Sequence, residues 1–234
     1  MGQTGVGKST FVNHFTDSST AKVGDELESC TQSLQPIPVE REHLPPPFKN
    51  RQHAFPDKYK RLVIVDTPGF DDTYKDNSEI AGQLAQWLKD HYGKGARLEG
   101  IVYLHDISQP RVEESYRGIF HLFAQLCEKD IVGSLLLVTT KWDGISQQEI
   151  GAKREQQLRT KFWGAMINQG AQTHRFKGDS TSAQEIILNL LKVENDLRMM
   201  HNSTEQGGEA KILRSKPETR SKGPTFWSIV KSFF

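Results

Sequence analysis

The chain is short of cysteine, of charge of one sign and of long apolar runs, and each shortage excludes a class of protein. Only Cys30 and Cys127 occur among 234 residues. Two isolated thiols build neither a disulfide framework nor a cysteine-based metal cluster, and they read as reduced thiols. The eight histidines are scattered singly, with no H-E-x-x-H and no Cys/His pairing, so no zinc pattern is present. Lys and Arg number 30 against 29 Asp and Glu, a net charge of +1. No global bias argues for nucleic acid, and none is expected as a partner. No apolar run approaches the roughly 18 residues of a membrane-spanning helix, and no secretory leader pattern opens the chain. A cytoplasmic protein is expected. A hydrophobic share of 35% suffices for one α/β domain of ordinary size.

What is present is concentrated at the start. Gly2 to Ser9 reads G-x-x-x-x-G-K-S, the phosphate-binding loop. Gly2, Gly5 and Gly7, with Thr4 and Val6 between them, let the backbone turn its N–H groups toward phosphate oxygens. Lys8 is placed to reach the β- and γ-phosphates. Ser9 is placed to ligate Mg²⁺, with Thr10 beside it, and a helix starting near Lys8 aims its positive end at the anion. Such a loop normally follows a buried central strand, and Met1 stands where that strand would end. The expectation is a first strand absent or truncated, leaving neighbouring backbone groups unpaired.

Two further motifs follow in order. The apolar run 61–65 predicts a buried strand that delivers Asp66-Thr-Pro-Gly69 at its C-terminal end, where ligands of open α/β sheets bind. An Asp there can hold a Mg²⁺-bound water, and the Gly69 N–H can touch a γ-phosphate. The strand predicted over 131–139 ends in Thr140-Lys-Trp-Asp143. A carboxylate at Asp143 can accept from guanine N1–H and from the N2 amino group, donors that adenine lacks. Such a bidentate site rejects the wrong base by on the order of 10⁴-fold. Lys141 can lie along the base and back onto the phosphate loop. Thr140 stands in place of the more usual Asn, which weakens one tethering hydrogen bond.

Between these motifs the periodicity predicts helices over 8–15, 78–91, 111–127, 145–169 and 182–199, and strands over 33–41, 100–105 and 172–176. Leu158, Phe162, Met166 and Ile167 form the inward stripe expected of the fourth helix. The polar segment 17–35 offers Thr31, with Thr20 as competitor, as a switch threonine closing on Mg²⁺ when a γ-phosphate is present. Residues 177–183 stand where a base-contacting loop belongs, without singling out the residue that touches the base. The domain is expected over 1–200, a basic polar linker over 201–222, and a short aromatic and apolar tail over 223–234. That tail has the composition of a weak interfacial membrane contact.

Taken together, Gly2–Ser9, Thr31, Asp66–Gly69 and Thr140–Asp143 resemble the four motifs of a small GTP-binding domain. Within that class the chain is similar to the septin and immunity-associated (GIMAP, AIG) group. The segment 101–108 with Arg111, and the segment 139–143, look like fungal G-domain proteins related to it. The resemblance implies a three-layer P-loop α/β fold: a mostly parallel central sheet with helices on both faces. It implies GTP or GDP with Mg²⁺ as cofactors. Gly2, Thr4, Gly5, Val6, Gly7, Lys8, Ser9, Thr10, Gly69, Thr140, Lys141 and Asp143 would contact nucleotide. Ser9, Thr31 and Asp66 would serve the metal, and Lys8 and Thr31 would act in catalysis. Phe70 stands where Ras-like proteins carry a water-orienting Gln, which implies slow hydrolysis or a residue supplied by a partner, as pairing across the nucleotide face would provide. The rivals are a nucleotide-stabilised assembly module without turnover, a P-loop ATPase or nucleotide kinase, and an inactive fragment.

Overall fold

Six consecutive buried residues, Leu135–Thr140, form the strand around which the layers assemble. The computed structural model describes residues 1–19, 21, 33–44, 48, 61–69, 83, 86–87, 90, 99–110 and 135–192. Within them the strands are β1 (Gln35–Glu40), β2 (Arg61–Asp66), β3 (Ile101–Asp106), β4 (Leu135–Thr140) and β5 (Gln172–Arg175). The helices are α1 (Lys8–Thr16), α2 (Gln148–Gln157), α3 (Gly164–Asn168) and α4 over 180–192.

β3, β4 and β5 form a parallel sheet, with Tyr103 opposite Leu137, Leu104 opposite Val138 and Val138 opposite His174. Alternation along a strand sends successive side chains to opposite faces. Tyr103, Leu135 and Leu137 therefore pack with Leu158, Trp163 and Met166 of the α2–α3 region. Leu104, Leu136 and Val138 pack with Phe11 and Phe15 of α1 and with Ile186 and Leu190 of α4. Both faces of the sheet are covered by helices, the three-layer α/β architecture expected from the motif order.

Among the described residues the strands form two sheets, the second being β2 paired with β1, antiparallel, from Gln35 opposite Asp66 to Glu40 opposite Arg61. The segment entering the phosphate loop touches both sheets. The Leu104 N–H donates to the Met1 carbonyl at 2.8 Å, and Gly2 bridges Leu104 in parallel sense. At its far end Ser9 reaches Asp66 on β2. Gly2 and Gln3 both lie in β-bridges rather than in a strand. The strand β2 is half-buried rather than buried, and Val63 is 37% exposed.

The helix expected over 145–169 is redrawn. It is broken into α2, a π-helical turn at Leu158–Phe162, and α3. The Trp163 N–H donates to the Leu158 carbonyl five residues back, at 2.7 Å. The extra residue per turn rotates Trp163 inward, where it is fully buried, while Phe162 and Ile167 are only partly buried. Of the helix expected over 78–91, residues 83, 86, 87 and 90 are described and helical. The helix over 111–127, the linker and the tail lie outside the described residues.

Candidate functional site

The ends of β2, β3 and β4 converge on the phosphate loop, so the three motifs meet in space. Gly7, with φ 95°, is the residue before α1. A side chain rarely tolerates that angle, and glycine lets the chain enter the helix without a capping side chain. The first turn of a helix presents N–H groups with no acceptor within the helix, and α1 begins at Lys8 directly after the loop, an arrangement suited to an anion. The helix is anchored by Phe11, Val12 and Phe15, all buried. Lys8 is 9% exposed, and its Nζ donates to the Gln3 carbonyl at 2.7 Å across the loop.

The Ser9 hydroxyl donates to Asp66 Oδ2 at 2.7 Å, joining two motifs that lie far apart in sequence. Asp66 is 3% exposed. A hydroxyl and a carboxylate in contact beside a phosphate loop are the hard-oxygen set Mg²⁺ takes, the remaining ligands coming from phosphate and water. Among the described residues no group of three or more His, Cys, Asp and Glu side chains could hold a metal ion. Gly69 sits against the loop. A Cβ built on it would lie 2.1 Å from Thr4 Oγ1 and 2.4 Å from the Thr4 backbone nitrogen. Only glycine permits this approach. Thr31, Thr20 and Phe70 lie outside the described residues.

The base motif is tethered to the same loop. Thr140, 2% exposed, places its Oγ1 2.9 Å from the Val6 carbonyl and 3.3 Å from the His105 carbonyl. The tether that Thr was expected to weaken is therefore made, although one hydroxyl proton serves one carbonyl at a time. Lys141 follows with φ 56°, a left-handed backbone that costs a non-glycine residue about 1 kcal/mol. Its Nζ lies 3.0 Å from Asp106 Oδ2, so the ammonium is joined to the end of β3. Asp143 is exposed, in the short helical turn Trp142–Gly144.

Three contributors to this region were not singled out in the sequence. Asp106 is 4% exposed and accepts from the Ser108 N–H at 2.9 Å and the Ser108 hydroxyl at 2.6 Å. Burial pushes its pKa up, but the bonds from Ser108 and the contact with Lys141 outweigh this and hold it below the usual carboxylate value. Arg175, at the end of β5, lies over the Trp142 ring at 4.1 Å and pairs with Glu155 of α2. The Trp142 Nε1 donates to Thr139 Oγ1 at 3.0 Å. His105 is buried beside Trp163, and burial pushes its pKa down to about 4. His105 and Asp106 fall within the segment 101–108 that carries part of the resemblance, but no spacing assigns a role to them or to Arg175; those roles arise where β3, β5 and α2 come together. The loop after β5 is a capped turn, in which the Ser182 N–H donates to Asp179 Oδ1 at 2.7 Å and the Lys177 N–H to Ser182 Oγ at 3.1 Å.

Comparison with known proteins agrees with this geometry. Toc33 from Arabidopsis thaliana in complex with GDP and Mg²⁺ superposes with a TM-score of 0.60 at 15% identity, covering 84% of this chain and 82% of that one. Toc33 with Mg²⁺ and GMPPNP gives 0.55 at 18% identity, covering 86% and 82%. A structure of the chloroplast translocon components atToc33 and psToc159, described as showing that dimerisation is important for their GTPase activity, gives 0.55 at 17%, covering 83% and 80%. At these identities the likeness concerns the fold. No curated protein matches the sequence. Residues 1–141 match the family described as 50S ribosome-binding GTPase, and with its phosphate loop, Asp66 and Thr140–Asp143 gathered at one end of a three-layer α/β domain, the chain belongs to that family.

Proposed function

We propose that this protein binds GTP and GDP with Mg²⁺ and hydrolyses GTP slowly, or only when a partner completes its site. The observation that carries the reading is the contact between Ser9 and Asp66 at 2.7 Å, made on a loop that Thr140 ties to the base motif at 2.9 Å. Lys8 and the first-turn N–H groups of α1 bind the phosphates. Ser9 and Asp66 hold the metal, whose positive charge offsets that of the phosphate oxygens. Gly69 approaches the γ-phosphate, and Asp143 reads guanine. Phosphoryl transfer asks mainly for positioning and charge neutralisation, and these groups supply both. Phe70 offers no polar atom to orient water, so turnover depends on Thr31 or on a group from outside the chain.

A second reading is an assembly module that dimerises across the nucleotide face without useful turnover. Phe70 favours it, whereas the dimerisation described as important for GTPase activity in the Toc33 and Toc159 neighbours favours the partner-dependent enzyme. Within the family we place the chain nearest the septin and immunity-associated group, on its phosphate loop and Asp66–Phe70 motif. Titration with fluorescent GTP and ATP in Mg²⁺ tests the reading: selective GTP binding is expected, and equal or absent binding of the two removes it. Phosphate release that climbs with protein concentration supports the partner-dependent enzyme, whereas release that stays flat supports the assembly module.

A further inference from the structure

We propose that Asp106 is the positioning residue of the base-recognition segment: through Lys141 it pins residues 140–144 in the conformation that presents Asp143. Asp106 closes β3, and the turn it begins is held on several sides. The Ile107 N–H donates to the Thr140 carbonyl at 3.1 Å, extending the β3–β4 ladder one residue past the end of β3. Arg154 of α2 donates through Nη1 to the carbonyls of Ile107 at 3.0 Å and Ser108 at 2.7 Å. A Cβ on Gly144 would stand 3.5 Å from Ser108 Cβ, so this turn and the base segment are in contact at both ends.

Within that frame the carboxylate divides its oxygens. Oδ1 accepts both bonds from Ser108. Oδ2 takes the Lys141 ammonium at 3.0 Å, with Gln109 Nε2 at the limit of bonding, 3.5 Å. A charge that is 4% exposed needs a partner, because burying it uncompensated is costly. Lys141, whose side chain is 44% exposed, is the cation it has. The pairing is lopsided. The rigid, buried member is the carboxylate, so it fixes the lysine rather than the reverse. Lys141 is also the residue with left-handed backbone, at φ 56°, and its carbonyl accepts the Gly144 N–H at 3.2 Å to close the turn that contains Asp143. Holding the lysine therefore holds the backbone on which Asp143 sits.

The selectivity part of the test rests on the guanine-nucleotide reading, and the exchange part does not. In Asp106→Asn, which keeps the shape and the acceptor for Ser108 but removes the charge, amide hydrogen exchange at Gly144 is expected to rise by about tenfold, without nucleotide present. In the same variant the preference for GDP over ADP is expected to narrow by about tenfold, through loss of GDP affinity. Lys141→Met and the double variant should show the two changes to be non-additive. Unchanged exchange at Gly144, an equal loss of GDP and ADP binding, or additive effects overturn the proposal. If the native chain shows no GDP preference, the guanine reading falls, and the exchange result alone still decides whether Asp106 pins the segment.

Discussion

Acid should weaken this fold through His105. The side chain stands on β3 with 3% exposure, its ring edge-on to Trp163 at a centroid distance of 6.0 Å. Burial lowers its pKa from 6.5 to about 4, against an opposing pull from Asp106. The folded protein therefore keeps this imidazole neutral where the unfolded chain already binds a proton. Stability is full above the unfolded value and is lost as the pH falls toward the folded one. Between pH 7 and pH 5 the loss from one such histidine is about 2 kcal/mol. His174 is shifted in the same direction, by burial opposed by Glu185, and adds to the total. Asp106 and Asp179 are held below 3.8, so they lose stability only at lower pH. Urea unfolding of the native chain and of His105→Phe at about pH 7 and about pH 5 isolates the effect. The native chain should lose about 2 kcal/mol more than the variant over that interval. Equal losses would show that His105 takes up its proton in the folded state at its ordinary pKa, and the reasoning from burial would fail.

Further outcomes follow from the site. Thr140→Val keeps the shape but removes the hydroxyl that reaches Val6 and His105; a stability loss of about 1–3 kcal/mol, with weaker GDP binding, is expected by denaturation and titration. Gly69→Ala places a methyl group 2.4 Å from the Thr4 backbone nitrogen, so the two loops must part, and GTP affinity should fall more than GDP affinity in a paired titration. Lys8→Ala should abolish nucleotide binding, and affinity equal to that of the native chain would defeat the phosphate-loop assignment. Asp143→Asn should weaken GTP and improve xanthosine triphosphate, because the new amide can donate to the extra carbonyl; competition between the two nucleotides measures it.

The sequence by itself determined the chemistry-bearing motifs, because each needs particular residue types at fixed local spacing. Gly2–Ser9, Asp66–Gly69 and Thr140–Asp143 are legible in the sequence as three parts of one site. The apolar runs of β3 and β4 likewise marked the buried strands, since a strand covered on both faces has no polar alternation to disguise it. Tertiary structure decided the rest. The division of the described strands into two sheets is set by which backbones pair, which hydrophobic pattern does not encode. The π-helical turn at Leu158–Phe162 interrupted the one continuous helix expected and added Trp163 to the core beside Leu158 and Met166. Asp106 and His105 are adjacent on β3 and read alike as polar residues at a strand end. Packing buries the imidazole against Trp163, whereas Ser108 and Lys141 surround the carboxylate. Those long-range contacts, not the local sequence, set which of the two is kept neutral and which is kept charged.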